Sequence, residues 1–131
     1  VGSEYAFAQK IPYASIMNQR GELVEPTAET ISAAASGVIP ADTRTSITNA
    51  DAAGAYPIAT FTWMIIYKEQ NYSDRSKEQA TATLNLLQYI LSDEAQKITS
   101  EVHYAPLPAQ AKELSLKNLK TVTYDGVPIL Q

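Results

Sequence analysis

The stretch from Asp51 to Lys68 limits most strongly what this chain can fold into. A turn-rich approach, Asp51-Ala-Ala-Gly54, reaches Pro57 and opens at once into Ile58-Ala-Thr-Phe-Thr-Trp-Met-Ile-Ile-Tyr67. Proline fixes φ and removes a backbone donor, so the approach to the run is rigid. A segment this dense in Phe61, Trp63, Met64, Ile65 and Ile66 predicts a buried strand covered on both faces, as central strands of α/β proteins are. Helices must then pack over it, and the following residues supply them. Ser76 with Gln79 three positions later forms a capping-box pattern, and Ala80, Leu84, Leu87 and Leu91 recur at helical intervals. Ser92 or Asp93 caps a second helix whose apolar positions are Ala95, Ile98 and Val102, ending before Pro106. Pro108 starts a third, running to about Lys120 with Leu114, Leu116 and Leu119. Tyr124-Asp-Gly-Val-Pro128 reads as a closing turn.

Upstream of Asp51 the pattern is looser. Residues 1–8 place Tyr5 and Phe7 on one side, which predicts a strand or extended segment. Pro12 to Met17 predicts a strand, Asn18-Gln-Arg-Gly21 a turn, and Glu22-Leu-Val-Glu25 the return arm of a hairpin, stopped by Pro26. Thr27 is a helix N-cap with Glu29 in the first turn, and Ile31, Ala34 and Ala35 give a short apolar face closed by Gly37. From Val38 to Ala55 small and polar residues predict a long surface connection. A connection of that length inside a compact domain asks for a reason.

Composition excludes several classes of function. The 131 residues fit one ordinary domain, and 45% hydrophobic against 18% charged residues is a globular rather than a disordered balance. The net charge is −4 and the basic residues are spread from Lys10 to Lys120 without a cluster, which argues against nucleic acid as a partner. No apolar run approaches the roughly 18 residues of a membrane span. There is no cysteine, so disulfides and thiolate chemistry drop out. The opening Val1-Gly-Ser-Glu-Tyr has neither a basic n-region nor an apolar h-region, so any export signal is expected outside these residues.

Residues able to perform chemistry are few. His103 is the single histidine, which removes two-histidine metal sites and suits a structural place at a helix end. Ser46 and Ser100 lack a nucleophile-elbow context. The Asp93-Glu94 pair is explained by a helix N-terminus. Phe61, Trp63, Tyr67 and Tyr89 read as core aromatics before they read as a ligand cavity. Arg20 in the hairpin turn and Arg75 beside a helix cap suit solvated roles, which leaves Arg44 in the long connection as the weak candidate for contacting an anion. The five glycines at 2, 21, 37, 54 and 126 are dispersed, so no phosphate-cradling loop is present and no cofactor is implied.

Several blocks, in order, resemble one family. These are Gly2-Ser-Glu-Tyr-Ala-Phe-Ala8, Ala33-Ala-Ala-Ser-Gly37, Thr48-Asn49 ahead of Ala55-Tyr-Pro-Ile58, Ser92-Asp-Glu-Ala-Gln96 and Tyr104-Ala-Pro-Leu-Pro108. Together they are similar to the C-terminal part of the phosphate-binding proteins of ABC importers. The resemblance implies a periplasmic-binding-protein type II-like α/β fragment, with strands covered by helices. Residues 1–57 would belong to the second lobe of a clamshell. Residues 58–131 would form the hinge crossing and the C-terminal part of the first lobe, the hinge being Pro57, Ile58, Ala59 and Thr60.

The resemblance further implies a non-enzymatic, periplasmic or cell-surface subunit that, in the full-length protein, binds inorganic phosphate and hands it to an ABC permease. In that family the anion is held by helix N-termini, hydroxyls, an arginine and an acidic acceptor from an N-terminal part that this sequence does not match, so no phosphate ligand is carried onto these positions. The chain is then expected to need that missing N-terminal part, or to self-associate through unpaired strand edges. The rival readings are a binding protein for sulfate, molybdate or tungstate, and an interaction or adhesion module without a small ligand.

Overall fold

A computed structural model describes residues 2–130. The chain opens with a helix, α1 (Ser3–Ala8), where alternation of Tyr5 and Phe7 predicts extended backbone. Two aromatics two positions apart share a face only in a strand, but one such pair is too short to set a period, and Gly2 in an extended conformation with Glu4 in the first turn starts a helix instead. Val1, the first residue of that expected strand, lies outside the described residues. The helix closes on Lys10, at φ 54°, with its N–H on the Phe7 carbonyl at 3.2 Å and the Ile11 N–H on the Ala6 carbonyl at 2.8 Å. That pair of bonds is a Schellman closure.

The expected hairpin is present. Strand β1 (Ile16–Met17) pairs antiparallel with β2 (Leu23–Val24), Ile16 opposite Val24 and Met17 opposite Leu23. Helix α2 (Ala28–Ala34) begins at Thr27, whose hydroxyl accepts from the Thr30 N–H while the Thr30 hydroxyl accepts from the Thr27 N–H, a reciprocal cap that satisfies two orphan donors. It ends at Ala35, two residues earlier than a Gly37 closure would give.

The long connection is not merely surface. Ile47, Ala55 and Ala59 are buried with Ala34 and Ala35 of α2, and Ile31 and Phe61 pack against them. A polar-looking loop of this length persists because a few apolar side chains pin it, while turns at Thr43 (φ 60°) and Asn49 (φ 50°) fold it back.

The run from Ile58 to Tyr67 departs most from expectation. Pro57 and Ala59 are buried while Ile58 and Thr60 are exposed, the period-two alternation of a strand. Yet the run joins no ladder among the described residues, and Met64 and Ile65 are 60% and 93% exposed. A covered strand needs neighbours on both edges and helices on both faces, and the remaining described residues supply neither here.

Downstream the expectations hold closely. Helix α3 (Lys77–Ile90) carries the Ser76–Gln79 capping box with both bonds formed, and it buries Ala80 and Leu84. Ser92, not Asp93, caps α4 (Asp93–Glu101) by accepting the Ala95 N–H. Pro108 precedes α5 (Ala109–Leu119), and α3 packs against both α4 and α5. A second hairpin, β3 (Thr123–Tyr124) with β4 (Val127–Pro128), turns through Asp125 at φ 52° and Gly126 at φ 73°, a type I′ turn. The fold is α/β, with helices packed beside short strands.

Candidate functional site

The crossing from α2 to α3 is stitched at its start and again from Lys68 onward, and loose between. The Tyr56 N–H donates to the Thr30 carbonyl at 2.9 Å, and the Asn49 N–H to the Pro57 carbonyl at 2.7 Å. The Thr48 hydroxyl donates to the Ala59 carbonyl at 3.1 Å. Pro57, Ile58, Ala59 and Thr60 are therefore held against α2 and the long connection on one side. From Thr62 to Ile66 the anchors thin to the Trp63 Nε1–H on the Thr43 carbonyl at 3.2 Å, before the Lys68 carbonyl accepts the Thr123 N–H at 2.8 Å.

The three arginines occupy different environments. Arg44 is exposed and its Nε donates to the Asp42 carboxylate at 2.8 Å, which lowers the Asp42 pKa. Arg20 donates to Asp51 at 2.8 Å and ties the hairpin turn to the long connection. Arg75, expected to be solvated, is partly buried. Its guanidinium lies 5.7 Å from the Tyr72 ring centroid and donates to the Tyr72 hydroxyl, the Gln79 carbonyl and the Thr83 hydroxyl.

Two polar clusters organise the surrounding loops. Asn18 is buried in the β1–β2 turn. Its Oδ1 accepts from the Arg20 and Glu22 N–H groups, both at 3.0 Å, and its Nδ2 donates to Glu22 at 2.7 Å and to the Ala55 carbonyl at 3.2 Å. That bond, with the Gly54 N–H on the Glu22 carboxylate, holds the Glu22 pKa below the usual carboxylate value.

Glu69 sits in a ring of donors that sequence reasoning missed. Its carboxylate accepts from the N–H groups of Asn71, Asp125 and Gly126 and from the Thr123 hydroxyl, at 2.8 to 3.1 Å. Those bonds, led by the Asn71 N–H, pull its pKa down to about 2. The Asp125-Gly126 dipeptide was the available signal, because a type I′ turn presents consecutive N–H groups to one side.

The other candidates keep structural places. His103 stands at φ 65° at the end of α4, with its N–H on Ser100 and the Tyr104 N–H on Thr99, and its ring lies 5.9 Å from Phe7. Asp93 pairs with Lys112 of α5, which lowers its pKa. Among the described residues no group of three or more His, Cys, Asp or Glu side chains converges as metal ligands, and no helix is long and apolar enough to cross a membrane.

No family model matches the sequence. Individual relatives do. Over 127 residues, 90% of this chain, it is 31% identical to the phosphate-binding protein PstS of Methanocaldococcus jannaschii. It is 34% and 33% identical, over 107 residues, to the PstS proteins of two Xylella fastidiosa strains. The chain belongs to the phosphate-binding protein family. It spans only 28–33% of the length of these PstS relatives.

Proposed function

We propose that this chain is the C-terminal portion of an extracytoplasmic phosphate-binding subunit, which delivers inorganic phosphate to an ABC permease and catalyses no reaction. The observation that carries this reading is the similarity to PstS along most of the chain, coupled with its coverage of about a third of each relative. Residues 1–57 are assigned to the second lobe, and residues 58–131 to the hinge crossing and the rear of the first. Pro57 to Thr60 are assigned as the hinge from the layout of the family, at the end of the segment that packs on α2. The unpaired run after Thr60 is the edge to which strands of the remaining polypeptide add.

Under this reading the anion is gripped mainly by groups beyond these residues, and Arg44 is the one candidate ligand within them, reached only if its pair with Asp42 opens. The test replaces the matching third of the Methanocaldococcus jannaschii protein with residues 1–131 and measures phosphate binding by calorimetry. Tight binding by the chimera and none by the isolated chain is expected. Submicromolar phosphate binding by the isolated chain would overturn the division of labour. A folded chimera that prefers sulfate or molybdate would overturn phosphate as the ligand.

A further inference from the structure

Asn71-Tyr72-Ser73 is the one Asn-x-Ser/Thr triplet in the chain. The other four asparagines, Asn18, Asn49, Asn85 and Asn118, have Arg20, Asp51, Leu87 and Lys120 two positions on. Such a triplet is an acceptor for N-linked glycosylation when its middle residue is not proline and it stands on the surface of an exported protein, outside regular structure. The fold supplies that setting. The triplet lies between the crossing and α3, in no helix or strand. Asn71 and Ser73 are exposed, whereas Gln70 is 1% exposed and Tyr72 is partly buried. The carboxamide and the hydroxyl two positions on, which a transferase has to engage together, are thus both open to solvent while the residues between and before them anchor the segment. Ser73 at φ 49° and Asp74 at φ 58° then turn the chain, with the Arg75 N–H on the Tyr72 carbonyl at 3.0 Å.

We propose that Asn71 is the acceptor of an N-linked glycan. The donor is a lipid-linked oligosaccharyl diphosphate. The Asn71 Nδ2 forms a bond to the anomeric carbon of the sugar, the bond from that carbon to the phosphate oxygen breaks, the lipid diphosphate leaves with the electron pair, and one amide proton passes to a base of the transferase. The carboxamide has two N–H groups, and one of them donates to the Asp125 carboxylate at 2.5 Å. The glycosylated nitrogen keeps one N–H, so the bond that ties the segment to the second hairpin survives the modification. This inference rests on the extracytoplasmic placement of the proposed function, but it uses no group that grips phosphate.

The test isolates the whole protein from its own cells and examines tryptic peptide 69–75, released by cleavage after Lys68 and Arg75, by mass spectrometry. The expected result is a mass increase placed on Asn71 by fragmentation, with sugar fragments released from it. In the same cells Asn71→Gln and Ser73→Ala should each abolish the increase. Ser73→Ala is the sharper variant, because it leaves the Asn71 bond to Asp125 in place and removes only the hydroxyl that the transferase reads. Protein found outside the cytoplasm with peptide 69–75 only in unmodified form overturns the acceptor and leaves the importer reading standing. Protein confined to the cytoplasm overturns both. A glycan retained on Asn71 in the Ser73→Ala variant overturns the triplet as its determinant.

Discussion

Replacing Asn18 by alanine should destabilise the chain by about 3 kcal/mol. Asn18 is 6% exposed and its amide joins the β1–β2 turn to the long connection. The substitution removes the acceptor for two turn N–H groups and the donor to the Ala55 carbonyl, each bond contributing about 1 kcal/mol net. Ala55 is fully buried, so its carbonyl is left without that donor and the loss falls at the upper end of this range. In a domain of this size such a loss lowers the melting temperature by roughly 10 °C.

Urea unfolding followed by circular dichroism measures the difference, with Asn18→Asp as the informative companion. Aspartate keeps the acceptor for Arg20 and Glu22 but turns an oxygen toward the Ala55 carbonyl and the Glu22 carboxylate. It should be at least as damaging as alanine at neutral pH and recover partly as the pH falls through the carboxylate range. A loss below about 1 kcal/mol for Asn18→Ala, or an Asn18→Asp variant as stable as wild type at pH 7, refutes the reasoning.

Three further outcomes follow from single observations. The folded-state pKa of Glu69 is depressed from its ordinary 4.5 to about 2, so its contribution to stability is complete above pH 4.5 and disappears as the pH falls toward 2. Glu69→Gln should flatten the acid limb of a stability-versus-pH curve in that window, and an unchanged slope would contradict the donor ring. Lys10→Gly relieves a left-handed residue at an exposed helix end and should raise stability by about 0.5–1 kcal/mol. His103→Gly should gain less, because it also removes the ring beside Phe7, and thermal melts of both variants compare the two. The exposed run around Met64, Ile65 and Tyr67 should drive self-association, which Ile65→Lys suppresses; sedimentation showing a strict monomer at high concentration would refute this.

Elements whose determinants are local were legible in the chain of residues. The caps at Thr27, Ser76 and Ser92, the Asn18–Gly21 turn, and the Asp125-Gly126 turn each depend on bonds within a few positions, and each formed where its residues stand. The Tyr5–Phe7 alternation misled because it is too short to distinguish one period from another. Arg75 looked solvated because nothing local announces that Tyr72, Gln79 and Thr83 fold around it. The relation to PstS was likewise readable in short ordered blocks, since likeness of sequence needs no coordinates.

What the residues alone determined, then, is the family, the helices from α2 to α5 with the caps at Thr27, Ser76 and Ser92, the Asn18–Gly21 hairpin turn and the closing turn at Asp125-Gly126, all but the family governed by interactions of short range. Only the tertiary structure decided that Ile47 and Ala55 pin the long connection, that Glu69 gathers four donors from two segments, and that Ile58 to Tyr67 joins no ladder among the described residues. The first two depend on partners far apart along the chain, and for the third the described residues supply no strand alongside. A strand's propensity is written in its own side chains, but its pairing belongs to whatever polypeptide lies alongside.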